Sequence, residues 1–307
     1  MSSLATAAFP RAAVSPRRVR RPERNARRRV SETSVSRVHL GRASRLPPPR
    51  ALPGVPFPWA PEGATQDAVL DELAARVVAA AFFGEGDGDA RVFVGIAGAP
   101  GSGKSTLARL VRDRVNAAAG DDVAVVFPMD GFHYYMKDLL SNKDGLFPDE
   151  HEAVNRRGSP FTFDAERFVA RVAAARNASR ENDVTRVPAF SHETHDPEED
   201  AIEIKGSHKI VLVEGNYVLL PDDPWRVLRD DGVLDESWFV DVAVDDAVRR
   251  VEARHVAVGR TPEEARRRAD GNDRPNGELV ARHKARADVL VPSYDMENIM
   301  ESTESTP

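Results

Sequence analysis

The chain contains no cysteine. That absence excludes a disulfide scaffold, an iron–sulfur centre, a cysteine-ligated zinc site and a cysteine nucleophile. It also excludes thiol-based redox control of the chain itself. No apolar run approaches the roughly 20 residues of a membrane-spanning helix. The clearest short runs, 77–83 and 123–129, suit a buried helix face and a buried strand. Residues 1–60 hold thirteen arginines, no lysine and only two acids, whereas the remainder holds 30 basic and 47 acidic residues. A body that acidic is poorly suited to hold a nucleic-acid backbone. Neither a nucleic-acid nor a membrane partner is expected. What is present is the balance of a globular protein: 307 residues, 41% hydrophobic and 30% charged, enough for one large domain or two small ones.

The first 60 residues are rich in Arg, Ser, Ala and Pro and carry no apolar core of a secretory signal. This composition matches an organelle transit peptide, with Ser and Pro leaning towards a plastid and a mitochondrion as the alternative. A disordered basic tail has the same composition. Either reading leaves 61–307 as the folding domain.

Within that domain the pattern alternates. "ATQDAVLDELAARVVAAAFF" (64–83) spaces Val69, Leu70, Leu73, Val77 and Val78 as a helix does. "RVFVGIAG", "DVAVVFPMD", "HKIVLVEGN" and "SWFVDVAV" read as apolar strands, and helices separate them. Asp164 opens one helix, and Thr261, Pro262 and Glu264 supply N-cap, first-turn and capping-box residues of another. Strands that are apolar throughout and separated by helices predict an α/β three-layer fold, a mostly parallel sheet covered on both faces.

"GAPGSGKST" (98–106) places Gly98, Gly103, Lys104 and Ser105 at the fixed positions of G-x-x-x-x-G-K-[ST], between a strand and a helix. The stretch Gly98, Ala99, Pro100, Gly101, Ser102, Gly103, Lys104, Ser105 and Thr106 is therefore expected to cradle a nucleoside triphosphate. Backbone N–H groups form an anion nest, Lys104 reaches the outer phosphates, and Ser105 offers a hydroxyl to Mg²⁺. No N-K-x-D guanine motif and no L-S-G-G signature accompanies it. Small-molecule kinases and plain ATPases remain.

Phosphoryl transfer needs a carboxylate at the acceptor hydroxyl and cations at the transferring group. Asp130 and Glu214 both end expected strands and both precede a glycine, and ligands of open parallel sheets bind at that edge. Asp130 is assigned to the acceptor hydroxyl and Glu214 to Mg²⁺ or its water. Each residue type is also common as a cap or turn.

The ordered series "GAPGSGKST", "MDGFH", "RRGSPFTFD", "PAFSHETHD", "LVEGNY" and "RRVEARHV" resembles the phosphoribulokinase, uridine kinase and pantothenate kinase group of P-loop kinases. The resemblance runs from Arg91 to about Val291, and "MDGFH" looks like its uridine-kinase-like branch. It implies a P-loop fold with a small helical lid near 245–275, ATP and Mg²⁺ as cofactors, and the roles already argued for Asp130 and Glu214. It implies further that Arg157 contacts the acceptor and that Arg254, with Arg250 second, reaches the triphosphate from the lid. It also turns Phe190, His192 and His195 towards the acceptor. Phe190 stands where uridine and pantothenate kinases have tyrosine, so the segment matches neither pattern fully. His192, His195 and Asp196 read equally as a solvated turn, and less well as a metal cluster. His133 is either substrate-facing or a helix cap. "GNDRPN" (271–276) either lines the adenine side or is a loop.

The expectation is an ATP-dependent kinase that phosphorylates a hydroxyl of a small metabolite. Asp130, Lys104 and Arg254 are its catalytic group, and His133, Arg157, Phe190, His192 and His195 are its substrate side. Uridine kinase and pantothenate kinase proper are alternatives, as is a nucleotide-binding regulator without turnover. A homo-oligomer is left open.

Overall fold

A computed structural model describes residues 64–83, 91–120, 122–142, 145–147, 149–178, 183–191 and 193–294. The transit-like segment read over 1–60 lies outside them. So does His192.

Five parallel strands form the central sheet: β1 (Val92–Gly98), β2 (Ala124–Pro128), β5 (Ile210–Glu214), β6 (Glu236–Asp241) and β7 (Val289–Pro292), in the order β2-β5-β1-β6-β7. Successive side chains of a strand point to opposite faces. Val92, Val94 and Ile96 meet Leu70, Leu73 and Val77 of α1 (Gln66–Phe83) and Leu107, Val111 and Val115 of α2 (Lys104–Ala119). Phe93 and Ala97 meet the other layer, where Phe168 and Val172 of α5 (Ala165–Asn177) and Val280 of α9 (Arg274–Ala281) pack. Both faces are dry, so the strands carry apolar residues without alternation. The three-layer α/β expectation is met. Among the described residues no helix is long and apolar enough to cross a membrane.

The sheet register brings three strand ends level. Glu214 pairs with Ile96 of β1 on one side and with Pro128 of β2 on the other. The glycine loop after β1, Asp130 after β2 and Glu214 on β5 therefore share one edge.

The expected caps are present. Asp164 accepts a hydrogen bond from Arg167 N at 3.0 Å. Thr261 and Glu264 form a full capping box on α8 (Pro262–Arg268). Three readings need correction or addition. "PAFSHETHD" lies on a two-stranded antiparallel hairpin, β3 (Thr185–Ser191) and β4 (Asp196–Ile204). Five of the nine residues of β4 are acidic, so it carries little apolar signal in the sequence. Short helices α3 (Met136–Leu140) and α4 (Glu150–Asn155) follow "MDGFH". "GNDRPN" is not a loop: it continues a π-helical turn, Ala269–Asp273, directly into α9. Between β5 and β6 lies α6 (Val227–Asp230), and α7 (Val244–Ala257) leads into α8.

One buried pair fixes α1 to the sheet. Arg76 Nε donates to both oxygens of Glu236, at 2.7 and 2.9 Å, and Trp238 Nε1 donates to the same carboxylate. Glu236 is 6% exposed. Arg76→Ala would leave its charge buried without its cation, so urea unfolding should show a loss of about 3–5 kcal/mol.

Candidate active site

Glycine permits the loop after β1. Gly101 and Gly103 adopt φ of +79° and +92°, the left-handed region that side chains disfavour. A Cβ on Gly101 would stand 2.4 Å from the Ala247 carbonyl oxygen. Gly103 then starts α2, and Leu107 N donates to its carbonyl at 2.9 Å. The loop is braced from β7: Arg250 donates to Ser293 Oγ at 2.7 Å, and Ser293 Oγ donates to Ser102 O at 2.9 Å. Arg250 therefore supports the loop from behind.

A cavity of about 150 Å³ opens at the shared sheet edge. Pro100, Gly101, Lys104 and Ser105 line it from the loop, Asp130 and His133 from beyond β2, and Arg254 from α7. Seven residues singled out from sequence thus meet around one space. Gly98, Ala99, Ser102, Gly103 and Thr106 complete the loop without lining that space.

Glu214 stands behind Ser105, whose Oγ donates to Glu214 Oε2 at 3.1 Å. Glu214 is only 5% exposed. Burial pushes its carboxyl up to about 7; Asp130 acts in the same direction, while Lys104 and the Ser105 hydroxyl oppose it. A hydroxyl and a carboxylate beside a phosphate-binding nest are the hard oxygen donors Mg²⁺ takes, so these residues fit that ion. Among the described residues no group of three or more His, Asp or Glu is placed to hold a metal by itself.

Asp130 lies on a 3₁₀ turn, Met129–Phe132. Its carbonyl accepts from His133 Nδ1 at 2.9 Å, and its carboxylate has no partner among the described residues. His133 lies against Phe163, with ring centroids 3.9 Å apart, and 5.1 Å from Phe190. Burial holds the His133 imidazole below its ordinary range, while Asp130 pulls it up. Gly131 lets the hairpin approach: a Cβ there would stand 2.2 Å from the Pro188 carbonyl oxygen. Gly131→Ala must move one backbone, and Asp130 moves with it.

Other expected residues stand away from this space. Arg157 is 8% exposed, and its Nη groups donate to His195 O, Tyr134 O and Asp196 Oδ1 at 2.5, 3.0 and 2.8 Å. It fastens the hairpin to the loop before α3 rather than pointing at an acceptor. Phe190 packs beside the Arg157 guanidinium. His195 is an exposed turn residue at φ +57° whose carbonyl, not its ring, is engaged.

Asp273 and Asn276 of "GNDRPN" line the cavity, and so do Asn216 and Phe163, which the sequence analysis assigned no role. Asn216 follows Glu214 and Gly215, so the strand-end argument applied to Asp130 would have found it. Asn276 joins the lid to the Arg157 loop. Ser159 Oγ donates to Asn276 Oδ1 at 3.1 Å, and Asn272 Nδ2 donates to Arg157 O at 2.9 Å. Asp273 faces His255 at 3.2 Å across the lid.

No family model matches the chain. A candidate uridine kinase of Schizosaccharomyces pombe is 32% identical over 215 residues, covering 69% of this chain and 88% of that protein. The chain belongs to the uridine kinase-like P-loop kinases. An ATP-dependent kinase-like protein of Aspergillus versicolor, notR', is 31% identical over 167 residues, 53% of this chain and 93% of its own. Among solved structures, a candidate fructose transport system kinase from Silicibacter sp. TM1040 matches with a TM-score of 0.62 and 29% identity, covering 75% of this chain and all of that one. The Saccharomyces cerevisiae P-loop kinase YFH7 shares the fold, with a TM-score of 0.56 and 22% identity over 75% of this chain and 98% of its own. The parallel sheet with its covering helices is the fold that these kinases share.

Proposed function

We propose that this uridine kinase-like protein transfers the γ-phosphate of ATP to a hydroxyl of a small metabolite. One observation carries the reading: Lys104, Ser105, Asp130 and Arg254 line the same cavity, although they come from three different segments of the chain. The loop amides and Lys104 bind the phosphates, and Ser105 and Glu214 hold Mg²⁺. That ion, when bound, neutralises charge on the phosphate oxygens. Asp130 orients the acceptor hydroxyl and takes its proton. Arg254, exposed on α7, adds positive charge where the transferring group develops negative charge. The lid helices close over the acceptor and exclude water, which would otherwise compete as acceptor.

The test uses the full chain with Mg-ATP. Acceptor-dependent ADP release should appear with some hydroxyl compound, and Arg254→Ala should lower its rate about 10³-fold or more. ATP binding with no acceptor-dependent release across hydroxyl compounds would instead favour a nucleotide-binding regulator.

A further inference from the structure

The wall beside Asp130 constrains which acceptor enters. Asn216 lines the cavity and is 9% exposed. Its Oδ1 is buried with no hydrogen-bond partner, and its carboxamide makes no other hydrogen bond among the described residues. A buried acceptor left orphaned weakens a fold, and such atoms are rare unless they have a use. Nearby, His133 donates through Nδ1 to a carbonyl, so the neutral ring keeps Nε2 as an acceptor. The Asp130 carboxylate is a third acceptor on the same cavity. A ligand that satisfies all three must carry several donors.

The other walls exclude alternatives. Among the described residues the cations lining this cavity are Lys104 and Arg254, both assigned above to the triphosphate. The Nη groups of Arg157 are held by two carbonyls and Asp196, and although its Nε is buried without a partner, the residue does not line this cavity. An acceptor with its own carboxylate or phosphate would meet the Asp130 carboxylate and would compete with the triphosphate for Lys104 and Arg254. The aromatic faces that would stack a nucleobase are also engaged: Phe163 and Phe190 both lie against the His133 ring.

We propose that the acceptor is a small uncharged polyol, a free sugar or sugar alcohol, and that Asn216 selects it by holding the hydroxyl next to the one phosphorylated. A carboxamide suits a vicinal diol, because one hydroxyl donates to Oδ1 while its neighbour accepts from Nδ2. The acceptor oxygen bonds to the γ-phosphorus as the bond from that phosphorus to the β,γ-bridging oxygen breaks. The hydroxyl proton passes to Asp130, and the bridging oxygen leaves on ADP with the electron pair.

This inference rests on the kinase reading. The full chain is assayed with γ-labelled ATP against three panels: glycerol, erythritol, ribitol, D-ribose and D-fructose; glycerate, sugar monophosphates and pantothenate; uridine and cytidine. Label should enter the uncharged polyols best. Asn216→Ala should raise KM for that polyol about 100-fold, the loss of two hydrogen bonds in a site built to read hydroxyls, while KM for ATP changes less than about twofold. A deoxy analogue lacking the adjacent hydroxyl, tested on the unaltered protein, reads the same contact should Asn216→Ala not fold. It should lose a similar factor. Preference for nucleosides or anions, or an adjacent hydroxyl that makes no difference, overturns this inference and leaves the kinase reading standing. Label transfer to none of the three panels overturns both.

Discussion

Asp130→Asn lowers the rate of phosphoryl transfer by about 10²–10⁴-fold, the usual contribution of a positioned general base, and leaves ATP bound. Asparagine has the same shape, so the 3₁₀ turn and the His133 contact to the backbone carbonyl survive the change. The glycine loop and Lys104 are untouched, so the nucleotide is held as before. What disappears is the negative charge that draws the acceptor hydroxyl into line and accepts its proton. Asp130 also pushes the Glu214 carboxyl towards its neutral form. Removing that like charge makes Glu214 easier to ionise, so affinity for Mg-ATP should hold or rise slightly while turnover collapses. Equilibrium nucleotide binding and single-turnover transfer, measured on the same preparation, separate the two. An unchanged transfer rate would remove Asp130 from the chemistry and return the protein to the regulator reading.

The parts of this site that were legible in the sequence are those in which backbone conformation and chemistry demand the same residues. The glycine loop needs left-handed residues at Gly101 and Gly103, an amine at Lys104 and a hydroxyl at Ser105, and that coincidence is visible without a structure. Asp130 and Glu214 were legible because an acid at the end of an apolar run is unusual and two such ends on one parallel sheet must lie together. Arg157 was misread for the opposite reason. The resemblance implied a substrate contact for it, but its destination depends on a hairpin whose second strand is acidic and carries little apolar signal. Once that hairpin folds over Gly131, the Tyr134 and His195 carbonyls and Asp196 meet the guanidinium first. Asn216 sits at the same strand end as Glu214, which the sequence shows, but a neutral amide after a glycine also reads as a turn, and its burial without a partner for Oδ1 among the described residues is what distinguishes it. "GNDRPN" has a loop's composition, but Asn272 and Asn276 face Ser159 and the Arg157 carbonyl, and those tertiary bonds hold it helical against its propensity.

Glu214→Gln should stabilise the metal-free protein while disabling it. The carboxyl sits at about 7, against an ordinary value of 4.5, chiefly because burial penalises its charge. Between those two values the unfolded chain has released a proton that the folded protein keeps. Stability attributable to this group is therefore intact below pH 4.5, declines as pH rises to 7, and stays at its minimum above. A displacement of that size corresponds to about 3 kcal/mol. Glutamine keeps the shape and an oxygen for the Ser105 hydroxyl but never ionises. Urea unfolding without metal should find the two proteins alike at pH 4 and the variant more stable by up to about 3 kcal/mol at pH 8. Turnover should move the other way, falling by at least about two orders of magnitude with the loss of an anionic oxygen beside the phosphates. A variant that is less stable at pH 8 would mean that Lys104 and Ser105 already offset the burial of Glu214. Opposite movement of stability and activity would show that the fold tolerates this charge for its chemistry.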